Sequence, residues 1–249
     1  MPESAQMRRY RWLSSALEKE NAVVLTASRR LARELRISHS KRQLEAGKTV
    51  WPTPAIDFVG DWATRQLETV ATPGVGRVLS SSATALLWER IVSRHADDSL
   101  LGSTALARLA ASTWRIVLDW CVPLEAIVRS ARTRDERVFA ASADEYRRAL
   151  QAEDWLDEAS VVTTVLTLLE RKEVRPTGPV TLVGFDHLPP VYAALVDRLR
   201  DAGIDTVVLR AASTGESQAV ASLAVEAAGQ RAARRGGADR FWLAPPSDV

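Results

Sequence analysis

Four groups of residues in this chain have the types that phosphate, metal or nucleophile chemistry uses. Gly47-Lys48-Thr49 spells the end of a phosphate-binding loop, where a lysine reaches the β/γ-phosphates and a hydroxyl holds magnesium. The tripeptide follows a helical stretch instead of a strand, and it lacks the upstream glycine that lets backbone N–H groups cradle phosphate. It reads as coincidence. Glu170-Arg171-Lys172 is a lone (D/E)xK match, a pattern that metal-dependent nucleases carry on a strand beside a further carboxylate, yet here it ends a helical pattern. His39, His95 and His187 show no ligand spacing with one another or with Cys121, which argues against zinc. Cys121 is the only cysteine. It sits in an apolar setting between Trp120 and Val122, which does not favour a thiolate, and it leaves no intrachain disulfide possible. No Ser–His–Asp arrangement is defined. These residues imply no metal and no cofactor.

The cations are more suggestive. Arg29, Arg33 and Arg36 fall on one face of a helical stretch, with Arg30 beside them and Lys41 and Arg42 further along. Residues 1–50 carry eleven Lys or Arg against five Asp or Glu, a local +6 in a chain whose net charge is +2. That asymmetry points to an anionic partner for the N-terminal part. The competing reading is an arginine bias of the whole chain: only four of its 33 basic residues are lysine.

The elements that must position these residues follow from periodicity. In residues 180–210, Val180, Thr181, Leu182 and Val183 form an apolar, β-branched run ended by Gly184. Pro189 and Pro190 suit a helical first turn, and Val191, Leu195, Val196 and Leu199 recur at helical spacing before Gly203. Residues 204–209 then form a second strand. Strand, helix, strand in about 30 residues is a βαβ unit with buried parallel strands. An earlier buried strand is expected at residues 22–25. A turn at Thr26, Ala27 and Ser28 follows, with Ser28 as N-cap of a helix that Gly47 ends. Residues 48–51 read as a short extended piece before Pro52. An amphipathic helix over residues 4–20 precedes all of this.

From 56 to 172 the pattern is helical alone. The spacing predicts one helix starting at Ile56 with Phe58, Val59, Trp62 and Leu67, then five more. Six of the eight tryptophans lie in or beside this stretch. At helical spacing among leucines they read as core, against the alternative of a stripe for stacking bases. Residues 213–249 are small, polar and Arg- and Gly-rich, and are expected to be largely disordered with a weak helix over 219–228. The start of the chain lacks the apolar core of a signal peptide, and no run reaches the ~18 apolar residues of a membrane span. A cytoplasmic protein is expected.

The segments AVVLTASRRLARELR, TVWPTPAIDFVGDW, ATALLWERIV, the pair Trp114 and Trp120, and VTLVGFDHLPP, in this order, resemble the N-terminal region of a bacterial PD-(D/E)xK nuclease family. Its members are DNA repair proteins similar to AddB-type and RecB-like helicase–nuclease subunits, and the resemblance covers roughly residues 10–212. It implies a Rossmann-like, superfamily 1 helicase-like α/β fold, derived from a P-loop sheet, interrupted by a large helical insertion. On this reading residues 1–53 and 178–212 form a discontinuous α/β domain, 54–177 the insertion and 213–249 a tail. The resemblance also implies a decayed nucleotide site at Thr26, Ser28, Gly184 and Asp186. Gly184 and Phe185 stand where active relatives carry a magnesium-holding carboxylate pair, and residues 26–30 replace the phosphate loop. Asp186 could bind a metal, but is expected to cap the helix that follows.

The resulting expectation is a non-catalytic DNA-associated module with an inactivated ATPase site. DNA would be held through Arg29, Arg30, Arg33, Arg36, Lys41 and Arg42. The nuclease domain and its (D/E)xK motif would lie downstream, so the chain reads as a truncated remnant whose partner is a helicase–nuclease subunit or the missing C-terminal domains. Two alternatives stand beside this one: an α/β enzyme binding a nucleotide or other phosphate ester at the strand ends, and a structural fragment without independent activity.

Overall fold

The structure, a computed structural model, describes residues 10, 12–70, 76–96 and 102–209. In chain order its elements are α1 (Trp12–Leu17), β1 (Val23–Thr26), α2 (Arg29–Glu45), β2 (Ile56–Phe58), α3 (Val59–Glu68), β3 (Arg77–Val78), α4 (Ser81–His95), α5 (Ser103–Asp119), α6 (Leu124–Ser130), α7 (Arg134–Ala152), β4 (Trp155–Leu156), α8 (Val161–Glu170), β5 (Val180–Val183), α9 (Pro190–Asp201) and β6 (Thr206–Leu209). The expected tail, residues 213–249, lies outside the described residues, as do residues 1–9 of the first expected helix.

An α/β fold with a parallel sheet is what these elements build. Four strands lie in the order β2-β1-β5-β6, all parallel, with Val23–Thr26 in register with Val180–Val183. Two strands separated by more than 150 positions in the chain thus become neighbours. Alternate side chains divide between the two faces, as the pleat requires. Val24, Ile56 and Val183 meet Leu13, Ala32 and Leu35 of α1 and α2 on one face. Leu25, Val180 and Leu182 meet α3, α8 and α9 on the other. The βαβ unit forms as its residues dictate: Pro190 opens α9, and Gly203, at φ 82°, supplies the left-handed residue that ends it.

Helices α4, α5, α6 and α7 build a second core of their own. Trp88 stacks on Tyr146 with ring centroids 4.1 Å apart, and Trp114 stands edge-on to Tyr146 at 6.0 Å. Trp62, Trp88 and Trp114 are all buried, whereas Trp120 is exposed. A two-stranded parallel ribbon, β3 with β4, lies between the cores: Val78 and Leu156 touch the sheet's core, Trp155 the helical one.

One expectation is corrected. The stretch from Ile56 does not open as a helix: Ile56–Phe58 is strand β2, paired with Val24–Thr26, and only Val59–Glu68 is helical. The piece at 48–51 is neither helix nor paired strand, and the edge strand comes after Pro52 and Pro54. The sheet's core therefore recruits α3 and α8 as well, and the separate helical unit is confined to α4–α7.

Candidate functional site

In an open parallel sheet, ligands bind beyond the carboxyl ends of the strands where the winding reverses. Here the chain winds from β1 to β2 on one side and from β5 to β6 on the other, so the switch point lies between β1 and β5. Thr26, Ala27 and Ser28 border it from β1, and Gly184, Phe185 and Asp186 from β5.

The side chains there are spent on the fold. Thr26 is fully buried, its hydroxyl 2.8 Å from the Ser28 carbonyl and 3.1 Å from that of Asp57, so its one proton is shared between the turn and β2. Ser28 caps α2 as expected, its Oγ accepting from the Leu31 N–H at 3.3 Å. Ala27 N–H donates to the Val183 carbonyl at 3.1 Å, tying the two loops together. Gly184 has φ 85°, and a Cβ there would stand 2.3 Å from Leu31 Cδ2. Leu31, from the first turn of α2, thus lies directly against the Gly184 backbone, across the crevice a phosphate would use. Asp186 is exposed and does not cap α9, whose N-cap is Pro189 without a side-chain hydrogen bond.

The basic helix divides into two sets. Arg29 donates to Asp61 at 2.6 Å and to Glu158 at 2.9 Å, and lies over the Phe58 ring at 4.8 Å. Its pKa is raised chiefly by the hydrogen bond it donates to Asp61, against a smaller opposing effect of burial. Arg36 donates to Asp57 at 2.7 Å, and Arg65 pairs with the same carboxylate. Arg42 donates to Ser14 Oγ at 3.0 Å and so ties α2 to α1. Arg30, Arg33 and Lys41 are exposed and, among the described residues, form no ion pair. The apolar Ile37 and Leu44 are exposed on the same helix.

Sequence reasoning missed the carboxylates. Asp57 comes from β2, Asp61 from α3, and Glu158 from just ahead of α8, so they lie 21 to 129 positions from the α2 arginines they pair with. Glu158 also meets Arg115 of α5 at 3.4 Å. Beside it, burial and then the Asp119 carboxylate push the Tyr192 hydroxyl up, while burial raises Asp119 itself. These groups join α2, α3, α5 and α9 above the strand ends into one charged seam between the two cores.

The remaining chemical candidates are dispersed. Glu170 closes α8 and pairs with Arg198, and Lys172 follows in a left-handed turn at φ 60°, so this (D/E)xK match is not carried by a strand. His95 lies 2.7 Å from Glu145 on the helical unit. Burial, followed by Lys48 and Arg42, lowers the pKa of His39. Burial, with Asp119 adding, raises that of the exposed Cys121, which opposes a thiolate role. Among the described residues, no three or more His, Cys, Asp or Glu gather where they could hold a metal ion, and no helix is long and apolar enough to cross a membrane. No protein-family model matches the chain, and no curated protein matches it in sequence.

Proposed function

We propose that this chain is a non-catalytic, helicase-like module of a DNA repair or DNA end-processing system, and that it holds DNA through the outward face of α2. The observation that carries the reading is the state of the switch point. Its place in the sheet is that of a nucleotide crevice, but Leu31 lies against Gly184, and the Asp61 and Glu158 carboxylates nearby are engaged by Arg29. The resemblance of the SRRLAREL, WPTP and GFD segments to the repair-nuclease family supplies the biological setting. A phosphate-ester enzyme needs the crevice open and is less well supported.

Within α2 the cations open to phosphate are Arg30, Arg33 and Lys41, because Arg29 and Arg36 already face carboxylates. Binding to a single-stranded oligonucleotide should therefore weaken steeply with salt, each contact adding about −0.7 to the log–log slope. Replacing Arg30, Arg33 and Lys41 by Glu should remove about 2 units of that slope if all three contact phosphate. The same slope in the triple variant as in the wild type would reduce these residues to a solvated face and favour a structural role. Calorimetric titration with Mg–ATP should show no tight binding, and a low-micromolar dissociation constant would restore the enzyme reading.

A further inference from the structure

A parallel sheet is stable when both faces are covered. On the face served by α1 and α2, cover reaches β2, β1 and, at Val183, the carboxyl end of β5, but among the described residues it stops short of Thr181 and of β6. The gap is a groove of about 400 Å³, flanked by Trp12 and Ala16 of α1 and floored by Thr181, Val207 and Leu209. Lys19 and Asp205, 2.7 Å apart, close it at the amino ends of the strands. Val207 and Leu209 are half-buried, as is Val208, but Val208, on the opposite face, packs against the core that contains α9. The groove is a missing piece of core.

We propose that the chain's own residues 219–228 fill this groove as a helix running antiparallel to β6. The chain leaves the sheet at Leu209, itself a groove residue, and residues 210–249 follow it. Val220, Leu223, Ala224 and Ala227 stand at i, i+3, i+4 and i+7, one apolar stripe, and Gly229 comes next as a helix stop. Two alanines in that stripe suit a shallow groove beside the Trp12 ring. A ten-residue helix is about 15 Å long, close to the ~13 Å of a four-residue strand. The nine residues 210–218 can span up to about 30 Å, enough to turn back over the strand end. Run antiparallel to β6, the helix brings Glu226 toward Lys19 at the closed end of the groove, an opposite-charge meeting.

Cross-linking in the full 249-residue chain tests this arrangement. In a Cys121→Ser background, Ser15→Cys on the rim of the groove is paired in turn with a cysteine at each position from 219 to 228, and a short bis-maleimide is added. The expected result is cross-linking within one chain, with yields that peak every three to four positions and exceed those of the guanidinium-unfolded chain. Uniform yields, or yields no higher than in the unfolded chain, overturn the proposal. Products only between two chains overturn it in favour of a second copy as the occupant. Val207→Asp places a charge on the groove floor and should lower the best yield by roughly tenfold. A Val207→Asp protein that still melts cooperatively and keeps the full yield also overturns it.

Discussion

The two cores solve the same packing problem with different materials. The sheet's core buries aliphatic side chains such as Leu25, Val165, Val180, Leu182, Leu195 and Leu199 together with Phe58, Trp62, Phe185 and Tyr192, and strand pairing satisfies the backbone between them. The helical core centres on three rings in mutual contact, Trp88, Trp114 and Tyr146, and is anchored on a buried carboxylate. Asp157, 2% exposed, accepts from Trp114 Nε1 and from the Tyr146 hydroxyl, both at 3.0 Å, while its other oxygen receives the Ser160 N–H at 2.8 Å. Strand pairing holds the sheet together without a side-chain anchor of that kind. The helical unit lacks that independence: its aromatic rings are oriented by a carboxylate supplied from the far side of β4.

The largest effect expected from this difference comes from Trp88, which is fully buried and stacked on Tyr146. Trp88→Ala should cost about 3–5 kcal/mol, the range for removing a large aromatic side chain from a core. If the cores are separate cooperative units, amide exchange should accelerate across α4–α7 while β5 and β6 stay protected. Loss of protection in both at once would mean that the seam joins them into a single unit.

The same contrast explains what the sequence made legible. Elements with clear apolar periodicity were readable: α9 between β5 and β6, and α2 after Ser28, lie within a residue or two of where spacing puts them. Strand β2 was not, because Ile56 and Val59 also fit a helical period and three residues are too few to show alternation. Pro52 and Pro54 ahead of it were the available sign of extended chain. The two-residue strands β3 and β4 are too short for any pattern. At the strand ends, the shared face of Arg29 and Arg36 followed from helix geometry. Their engagement did not, since Asp57, Asp61 and Glu158 are brought there only by the tertiary fold. Asp186 misled for a local reason: it lies three residues before the N-cap Pro189, too early to serve α9.

A smaller effect sharpens the comparison at the carboxyl end of β5. Gly184→Ala adds a methyl group 2.3 Å from Leu31 Cδ2 at a residue with φ 85°. The strained backbone and the clash together should cost about 1–3 kcal/mol. Leu31→Ala removes the clash but not the strain, so the double variant should lose less than the sum of the two single losses. Denaturant titrations of the four proteins give that coupling directly. Strictly additive losses would show that Leu31 yields freely, leaving the crevice open to a ligand after all.

The smallest expected effect is a pH dependence at the seam, where Asp119 of the helical unit faces Tyr192 of the sheet unit. Burial holds the Asp119 carboxyl above its ordinary value, with Tyr192 and Arg115 opposing more weakly. A group whose folded pKa is raised binds its proton more tightly in the native state. Its contribution is thus fully present below the unfolded carboxylate pKa and is withdrawn as pH rises through the folded pKa. Asparagine cannot ionise, so Asp119→Asn should melt with the wild type in acid and slightly above it at neutral pH. The difference should open across the weakly acidic range, and amide exchange in α5 and α9 would report whether it arises at the seam. A variant that is less stable than wild type at neutral pH would reverse the sign. The ionised Asp119 would then be a net tie between the cores through Arg115 and Tyr192, and the two units would be more strongly coupled than their separate packing implies.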